Sequence, residues 1–100
     1  MSAYKRGSPT QHTTSQKHRN FVSEPMGNRS VRDVPGIGHA QGRRLEEQGI
    51  SRADQLLGRY LMSGRDQVLF QKFLKNATGA NAKQQRDAFY GMKEWTDNNM

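Results

Sequence analysis

Residues 34–45 read Val34-Pro35-Gly36-Ile37-Gly38-His39-Ala40-Gln41-Gly42-Arg43-Arg44-Leu45. Gly36 and Gly38 allow backbone angles that other residues avoid, so the chain can reverse sharply here. Ile37 stands between them and can insert into the core. Gly42, four positions after Gly38, lets the following helix pack closely, and Leu45, three positions later, completes the apolar contact. This pattern is typical of a helix-hairpin-helix motif.

A hairpin of this kind leaves free backbone N–H groups at a helix start, where the positive end of the helix dipole points outward. Such a cluster binds phosphate. Arg43 and Arg44 lie about one turn into the helix, where at least one can reach a neighbouring phosphate. Backbone donors do not read bases, so the predicted contact is largely independent of sequence. A plain tight turn between two helices is the alternative, but the flanking pattern and the two arginines favour phosphate binding.

Outward from this hairpin the chain is predicted to form short helices separated by glycine turns, and no stretch alternates long enough to make a strand. The predicted helices are one that Thr14 or Ser15 caps and that runs to about 23, a single turn capped by Asp33, 39–48, 52–62, 67–76 and 82–97. Helical spacing predicts as core side chains Phe21, Val22, Leu45, Ile50, Leu56, Leu57, Tyr60, Leu61, Leu69, Phe70, Phe73, Leu74, Ala88, Phe89, Met92 and Trp95. The predicted fold class is all-α, a compact bundle of short helices.

A second glycine turn occurs at Asn76-Ala77-Thr78-Gly79-Ala80-Asn81-Ala82-Lys83. It also opens onto a helix start, with Lys83 and Arg86 in the first turns. An ordinary capped helix explains this pattern equally well, and from the pattern alone we favour that simpler interpretation.

Composition limits the partners of the chain. Its 100 residues include 16 Lys and Arg against 9 Asp and Glu, a net charge of +7, and 32% are hydrophobic. This length supports one domain. There is no apolar run near the ~20 residues of a membrane span, no apolar stretch behind the first charges to form a secretory signal, and no cysteine for disulfides, thiolate metal sites or a nucleophile. The excess positive charge lies in two segments: residues 1–20 have a net charge of +4, and residues 51–75, with five basic and two acidic residues, have +3. Together these features suggest a soluble intracellular domain with a polyanionic partner. A solvated tail and helix face is the alternative.

Residues 1–12 lack a periodic apolar pattern and are predicted to form a disordered basic extension, followed by a helical domain over 13–100. His12, His18 and His39 have no neighbours at metal-ligand spacing, so we interpret them as surface residues; when protonated, the last two could contact phosphate. No serine or threonine has a base beside it, and adjacent Glu46 and Glu47 point in different directions on a helix. We therefore predict no enzyme, no metal and no cofactor.

Many strings along the chain resemble the barrier-to-autointegration factor family. They are Thr13-Thr14-Ser15-Gln16-Lys17-His18-Arg19, Phe21-Val22, Glu24-Pro25-Met26-Gly27, Gly36-Ile37-Gly38, Leu45-Glu46-Glu47, Leu57-Gly58, Leu69-Phe70, Gly79-Ala80-Asn81-Ala82-Lys83-Gln84, Arg86-Asp87 and Glu94-Trp95. The resemblance extends over 13–100 without a gap and implies a helical homodimer. Each subunit of such a dimer binds double-stranded DNA without sequence preference, so that the dimer bridges duplexes.

The resemblance implies DNA contacts at the first helix and at both glycine turns, which reverses the interpretation of the second turn. The implied set is Gln16, Lys17, Gly36, Ile37, Gly38, Ala40, Gln41, Arg44, Asn81, Ala82, Lys83 and Arg86. It also implies a nuclear protein, at chromatin and the nuclear envelope with a share in the cytoplasm, whose partners include LEM-domain proteins, lamin and histones, with no membrane insertion. In the family the run matching Thr13, Thr14 and Ser15 is phosphorylated by a vaccinia-related kinase, which releases DNA; the added charge would lie beside Lys17.

The implied partner surface, at Ile50, Leu61, Met62 and Leu69, departs from the family pattern. Ile50 replaces a usual aromatic residue and Met62 a common valine, and the usual cysteines are absent. The DNA-binding positions thus match the family better than the partner surface does, and we expect a divergent member.

Two other classes of protein stay open. One is an accessory helix-hairpin-helix domain cut from a nuclease, glycosylase or polymerase, against which the Met1 start and the complete set of helices argue. The other is a protein-interaction adaptor dimer that has lost or weakened DNA binding. The substitution Gly36→Glu is predicted to separate these alternatives by abolishing duplex binding and leaving the dimer intact.

Overall fold

A computed structural model describes residues 15–100. Within that range the chain forms α1 (Gln16–Ser23), a single 3-10 turn (Val31–Asp33), α2 (His39–Glu47), α3 (Ala53–Met62), α4 (Gln67–Thr78) and α5 (Ala82–Asn99). The described part has no strand, only an isolated antiparallel bridge between Ser30 and Arg52. The predicted all-α bundle is therefore confirmed. The extension at 1–12, with Thr13 and Thr14, lies outside the described residues.

Side-chain caps begin three of these six elements where the sequence suggested. The Ser15 hydroxyl accepts the His18 N–H and begins α1, Asp66 begins α4, and Asn81 begins α5. The prediction that Asp33 caps the single turn was wrong. Ser30 accepts the Arg32 N–H and caps it, so that Asp33 is its last residue.

The core is one apolar cluster that draws on every helix. Its members are Phe21, Val22, Met26, Val31, Val34, Ile37, Leu45, Ile50, Ala53, Leu56, Leu57, Tyr60, Phe70, Leu74, Ala88, Phe89, Met92 and Trp95. Leu61 and Phe73 pack against its margin. The prediction that Leu69 is a core residue was wrong, since its side chain is 55% exposed. Phe70 and Leu74, four positions apart, form the buried face of α4, and Leu69 lies about 100° away around the helix.

Polar contacts dock α1 and the segment that follows it onto the long α5. The indole Nε1 of Trp95 donates to the Glu24 carbonyl at 2.8 Å, and His18 Nε2 donates to Glu94 Oε1 at 2.9 Å. His18 is only 2% exposed. The interpretation of His18 as a surface residue available to phosphate was therefore wrong: its imidazole joins two helices.

The glycine inside α2 has the packing role that the sequence indicated. Gly42 is buried, and a Cβ there would lie 2.5 Å from Cγ of Arg32. Arg32 extends across this position to form an ion pair with Glu46. The 3-10 turn before the hairpin is thereby held against α2.

Two classes of feature do not occur between residues 15 and 100. No helix there is long and apolar enough to cross a membrane. Nor does that part of the chain bring three or more histidine, aspartate or glutamate side chains together in a way that could hold a metal ion.

Candidate nucleic-acid interface

The first glycine turn is a tight reversal between the 3-10 turn and α2. The Ile37 N–H donates to the Val34 carbonyl at 3.1 Å, and Gly36 has φ +81°. Proline followed by a glycine of positive φ is typical of a type II turn. Ile37 is 1% exposed, so its side chain inserts into the core as predicted.

Gly36 serves helix packing more than ligand access. A Cβ on this residue would lie 2.2 Å from the Gln84 carbonyl oxygen and 3.2 Å from the Ala88 nitrogen, both in the backbone of α5. Any side chain here would also be strained by the positive φ. Gly36→Glu would therefore disturb the packing of the hairpin on α5 and cannot separate loss of DNA contact from loss of fold.

Gly38 is the glycine that faces outward. It is exposed, has an ordinary φ of −90°, and begins α2. Its N–H donates to Gln41 Oε1 at 3.1 Å. The next N–H groups, of His39, Ala40 and Gln41, belong to the first helical turn and have no intrahelical acceptor. They leave a donor cluster of the kind that binds an anion.

The second glycine turn places another helix start beside the first. Gly79, with φ +73°, ends α4 in the left-handed conformation, and Asn81 begins α5. The Asn81 Oδ1 accepts the Gln84 N–H at 2.8 Å, and Gln84 Oε1 accepts the Asn81 N–H at 2.9 Å. The N–H groups of Ala82 and Lys83, in the first turn, remain without an intrahelical acceptor.

Two side-chain contacts join these turns to each other and to α1. Lys17 Nζ donates to the Ile37 carbonyl at 2.7 Å, and Gln41 Nε2 donates to Gln84 Oε1 at 3.3 Å. The fold thus brings together three segments that are distant in sequence.

Lys17 carries a perturbed charge at this junction. Partial burial lowers the pKa of its ammonium from the usual 10.5, and the nearby Asp33 carboxylate partly opposes this shift. The charged form lacks part of its hydration in the free protein, so an added anion near Lys17 would be well placed to stabilise it.

The other basic residues of the predicted set differ in how much of their charge is available. Arg44 Nη1 donates to the Thr78 carbonyl at 2.6 Å and so ties α2 to the end of α4. Lys83 forms an ion pair with Asp87 at 2.7 Å. Arg86 is exposed on α5. At the start of α1, Gln16 hydrogen-bonds to its helix neighbours, donating to Asn20 and accepting from Arg19.

Two helix starts and a lysine lie on one face, which suggests a protein that binds a polyanion. Comparison with known proteins identifies the family. The family model described as barrier to autointegration factor matches residues 12–99. The chain belongs to the barrier-to-autointegration factor family. Barrier-to-autointegration factor B of Xenopus laevis is 53% identical over 85 residues, which cover 85% of this chain and 94% of that protein. The human factor is 51% identical over 85 residues, with 85% and 96% covered. The Drosophila melanogaster factor is 44% identical over 84 residues, with 84% and 93% covered.

Membership of the barrier-to-autointegration factor family answers the question of enzymatic activity, since the family comprises non-enzymatic DNA-binding proteins of chromatin. The prediction that this chain is not an enzyme is thereby confirmed.

The partner surface that the barrier-to-autointegration factor resemblance implied is not one continuous group. Ile50 is 5% exposed and belongs to the core, so its inclusion in a surface was wrong. Leu61 is half-buried. Met62 at the end of α3 and Leu69 in the first turn of α4 are 80% and 55% exposed, and Val68, the residue before Leu69, is 73% exposed. We call Met62, Val68 and Leu69 the corner surface.

Sequence reasoning missed Gln84, which accepts hydrogen bonds from both turns, and Asp87, which pairs with Lys83. A signal for Gln84 was present. Asn81 is followed three residues later by Gln84, the spacing of a capping box. Asp87 gave no comparable signal because a carboxylate four residues after a lysine is common on any solvated helix.

Proposed function

We propose that this protein binds double-stranded DNA without sequence preference through the face formed by α1, the two glycine turns and the starts of α2 and α5. The observation that carries the proposal is the placement of two helix N-termini side by side, joined by Gln41 and Gln84 with Lys17 at the junction. Backbone N–H groups and helix dipoles attract phosphate oxygens and do not distinguish base pairs.

We further propose that the protein acts as a homodimer that bridges two duplexes. The corner surface supports this step because it exposes three large apolar side chains on a small chain with a net charge of +7. It lies at the N-terminal end of α4, whereas the Asn81 turn follows the C-terminal end. Twelve helical residues separate the two ends by about 18 Å. A second copy on the corner surface would therefore leave the DNA face of each subunit open.

The family resemblance extends the proposal to nuclear location and partners. A DNA-bridging dimer would link chromatin to the nuclear envelope through LEM-domain proteins and lamin, and would meet histones. Phosphorylation at Thr13, Thr14 or Ser15 would oppose DNA binding. Ser15 precedes Lys17 by two residues, so a phosphate there would compete with DNA for the same ammonium.

A duplex-bridging assay tests the proposal directly. One biotinylated duplex is immobilised, a labelled duplex of unrelated sequence is added, and retention is measured with and without the protein. We expect retention that falls steeply with salt and does not change when either sequence is scrambled. If the protein is dimeric in solution yet retains no duplex, the proposal fails and the adaptor interpretation replaces it.

A further inference from the structure

Two glutamine side chains occupy the junction between the N-termini of α2 and α5. Gln41 and Gln84 are each the third residue of their helix, and each Oε1 accepts the N–H of the residue that begins it, Gly38 at 3.1 Å and Asn81 at 2.9 Å. A backbone N–H can only donate, so these contacts settle which end of each amide is oxygen. Each Nε2 therefore points away from the start of its own helix.

The orientation of the two amides creates a one-way link. Gln41 Nε2 donates to Gln84 Oε1 at 3.3 Å, so that this oxygen accepts two hydrogen bonds. Gln84 Nε2, in contrast, meets no acceptor among residues 15–100. Gln84 is a half-buried residue, and its amide nitrogen has unused donors where two helix N-termini converge, so it suits a phosphate oxygen.

The backbone already holds the two turns together at a second point. Gly36 packs so closely on α5 that a Cβ would lie 2.2 Å from the Gln84 carbonyl oxygen. The same residue of α5 thus contacts the hairpin through its carbonyl and α2 through its side chain. With both contacts in place, the spacing between the two clusters of free N–H groups is fixed before any ligand arrives.

We infer that Gln41 and Gln84 lock the two glycine turns into one phosphate-binding unit: Gln41 is a positioning residue, and Gln84 both completes the link and donates through Nε2 to the bound phosphate. The inference rests on the proposed DNA binding and deepens it. Preorganised donors lose less conformational freedom on binding, which is why a link between neutral side chains can raise affinity for a charged ligand.

A double-mutant cycle tests the link. Gln41→Met and Gln84→Met keep side-chain length and helix propensity but remove the amides. Dissociation constants for a short duplex are measured for the full chain, both single variants and the double variant. We expect each single variant to bind duplex roughly three- to tenfold more weakly than the unaltered chain. If the two effects were independent, their product would give the loss in the double variant; we expect the actual loss to be about threefold smaller than that product. The salt dependence should not change, because no charge is removed.

The chain provides a matched control pair on α4. Gln67 Nε2 donates to Gln71 Oε1 at 2.9 Å, so this pair also consists of two half-buried glutamines joined by a hydrogen bond. The corresponding Gln→Met cycle should leave duplex affinity within twofold of the unaltered chain. If Gln41 and Gln84 had only a structural role, their Gln→Met variants would have a lower thermal midpoint of unfolding. The duplex affinity of these variants would then change as little as that of the control variants.

A second measurement uses the unaltered protein. In spectra of ¹⁵N-labelled protein titrated with duplex, the side-chain NH₂ signal of Gln84 should shift and that of Gln71 should not. Coupled losses together with this shift support the inference. Additive losses, or no loss, with normal duplex binding by the unaltered chain would overturn the inference and leave the proposed function standing. Failure of the unaltered chain to bind duplex would overturn both.

Discussion

At the scale of single residues, Gly36 and Gly38 have different roles although they stand two positions apart in one motif. Gly36 has a positive φ and touches the backbone of α5, whereas Gly38 has an ordinary φ and faces solvent. A Cβ at Gly38 would meet only the end of the Gln41 side chain, at 3.0 Å. Gly36 thus meets the requirement for close packing on α5, whereas Gly38 keeps open the position that a phosphate would occupy in the proposed function.

Gly38→Glu should therefore replace Gly36→Glu as the variant that tests phosphate contact. We expect it to weaken duplex binding about tenfold or more, because a carboxylate would face the phosphate, with little change in thermal midpoint. Gly36→Ala should instead lower the free energy of unfolding by about 2 kcal/mol through overpacking and strain. Calorimetry and fluorescence anisotropy measure the two effects, and Gly38→Gln controls for the added bulk. Equal DNA affinities for Gly38→Glu and the unaltered chain would contradict this assignment.

We expect Lys17 to make DNA binding sensitive to alkaline pH. Burial lowers its pKa in the free protein, and a bound phosphate would raise it again, so binding requires the protonated form. The affinity for duplex should be constant below the lowered pKa and fall as the pH rises through it. This fall should come at a lower pH than it would for a lysine with the usual pKa of 10.5. In Lys17→Arg the charge persists, and the fall should move to higher pH. Identical pH profiles for the two proteins would show that Lys17 does not contact DNA.

At the scale of elements, the starts of α4 and α5 are built alike but differ in predicted function. Asp66 Oδ1 accepts the Leu69 N–H at 2.9 Å, and Asn81 Oδ1 accepts the Gln84 N–H at 2.8 Å. The cap of α4 lies beside the corner surface, whereas the cap of α5 lies in the proposed DNA face. The two caps therefore form a natural matched pair.

Asp66→Ala and Asn81→Ala should each lower the free energy of unfolding by about 1 kcal/mol, because each removes one N-cap hydrogen bond. Only Asn81→Ala should weaken duplex binding, since only that turn presents free N–H groups to phosphate. Chemical denaturation and anisotropy on the same samples measure both quantities. The assignment of the second glycine turn fails if Asn81→Ala binds duplex as tightly as the unaltered chain.

At the scale of the whole molecule, the net charge of +7 is spread more widely than the proposed contacts. Arg86 lies on α5 beyond the second turn, whereas Lys93, farther along the same helix, pairs with Asp97 at 2.9 Å. Binding that depends on phosphate contacts should distinguish these two exposed cations.

Arg86→Ala should reduce the slope of log affinity against log salt by about 0.9, the value for one phosphate contact. Lys93→Ala should leave that slope unchanged, although it removes the same charge from the same helix. Affinities measured at several salt concentrations give both slopes. If bulk charge alone drives binding, the two variants will be indistinguishable.

The corner surface allows bridging to be separated from binding. Leu69→Glu places a charge within the exposed apolar group and should give a monomer that binds single duplexes but does not retain a second one. Met100→Glu, at a methionine that is 65% exposed at the chain end, is the control and should leave bridging intact. Light scattering and the bridging assay measure the two properties. A Leu69→Glu variant that stays dimeric would place the dimer interface elsewhere.

Local patterns in the sequence determined the helices, the caps of α1, α4 and α5, and the two glycine turns. Those features depend on short-range rules: a proline and glycines at fixed offsets, capping side chains, and apolar residues at helical spacing. The buried positions of Phe21, Tyr60 and Trp95 follow from the same periodicity. Family strings added the second turn, which its own pattern did not distinguish from a plain capped helix.

Only the tertiary structure decided how those parts meet. The burial of His18, the exposure of Leu69 and the contact of Gly36 with α5 depend on residues far away in the sequence. The link between Gln41 and Gln84 joins side chains 43 positions apart. No local rule contains such a distance, because the packing of one helix on another selects which polar side chains face each other. Short-range chemistry therefore determined the two glycine turns, and long-range packing placed them side by side.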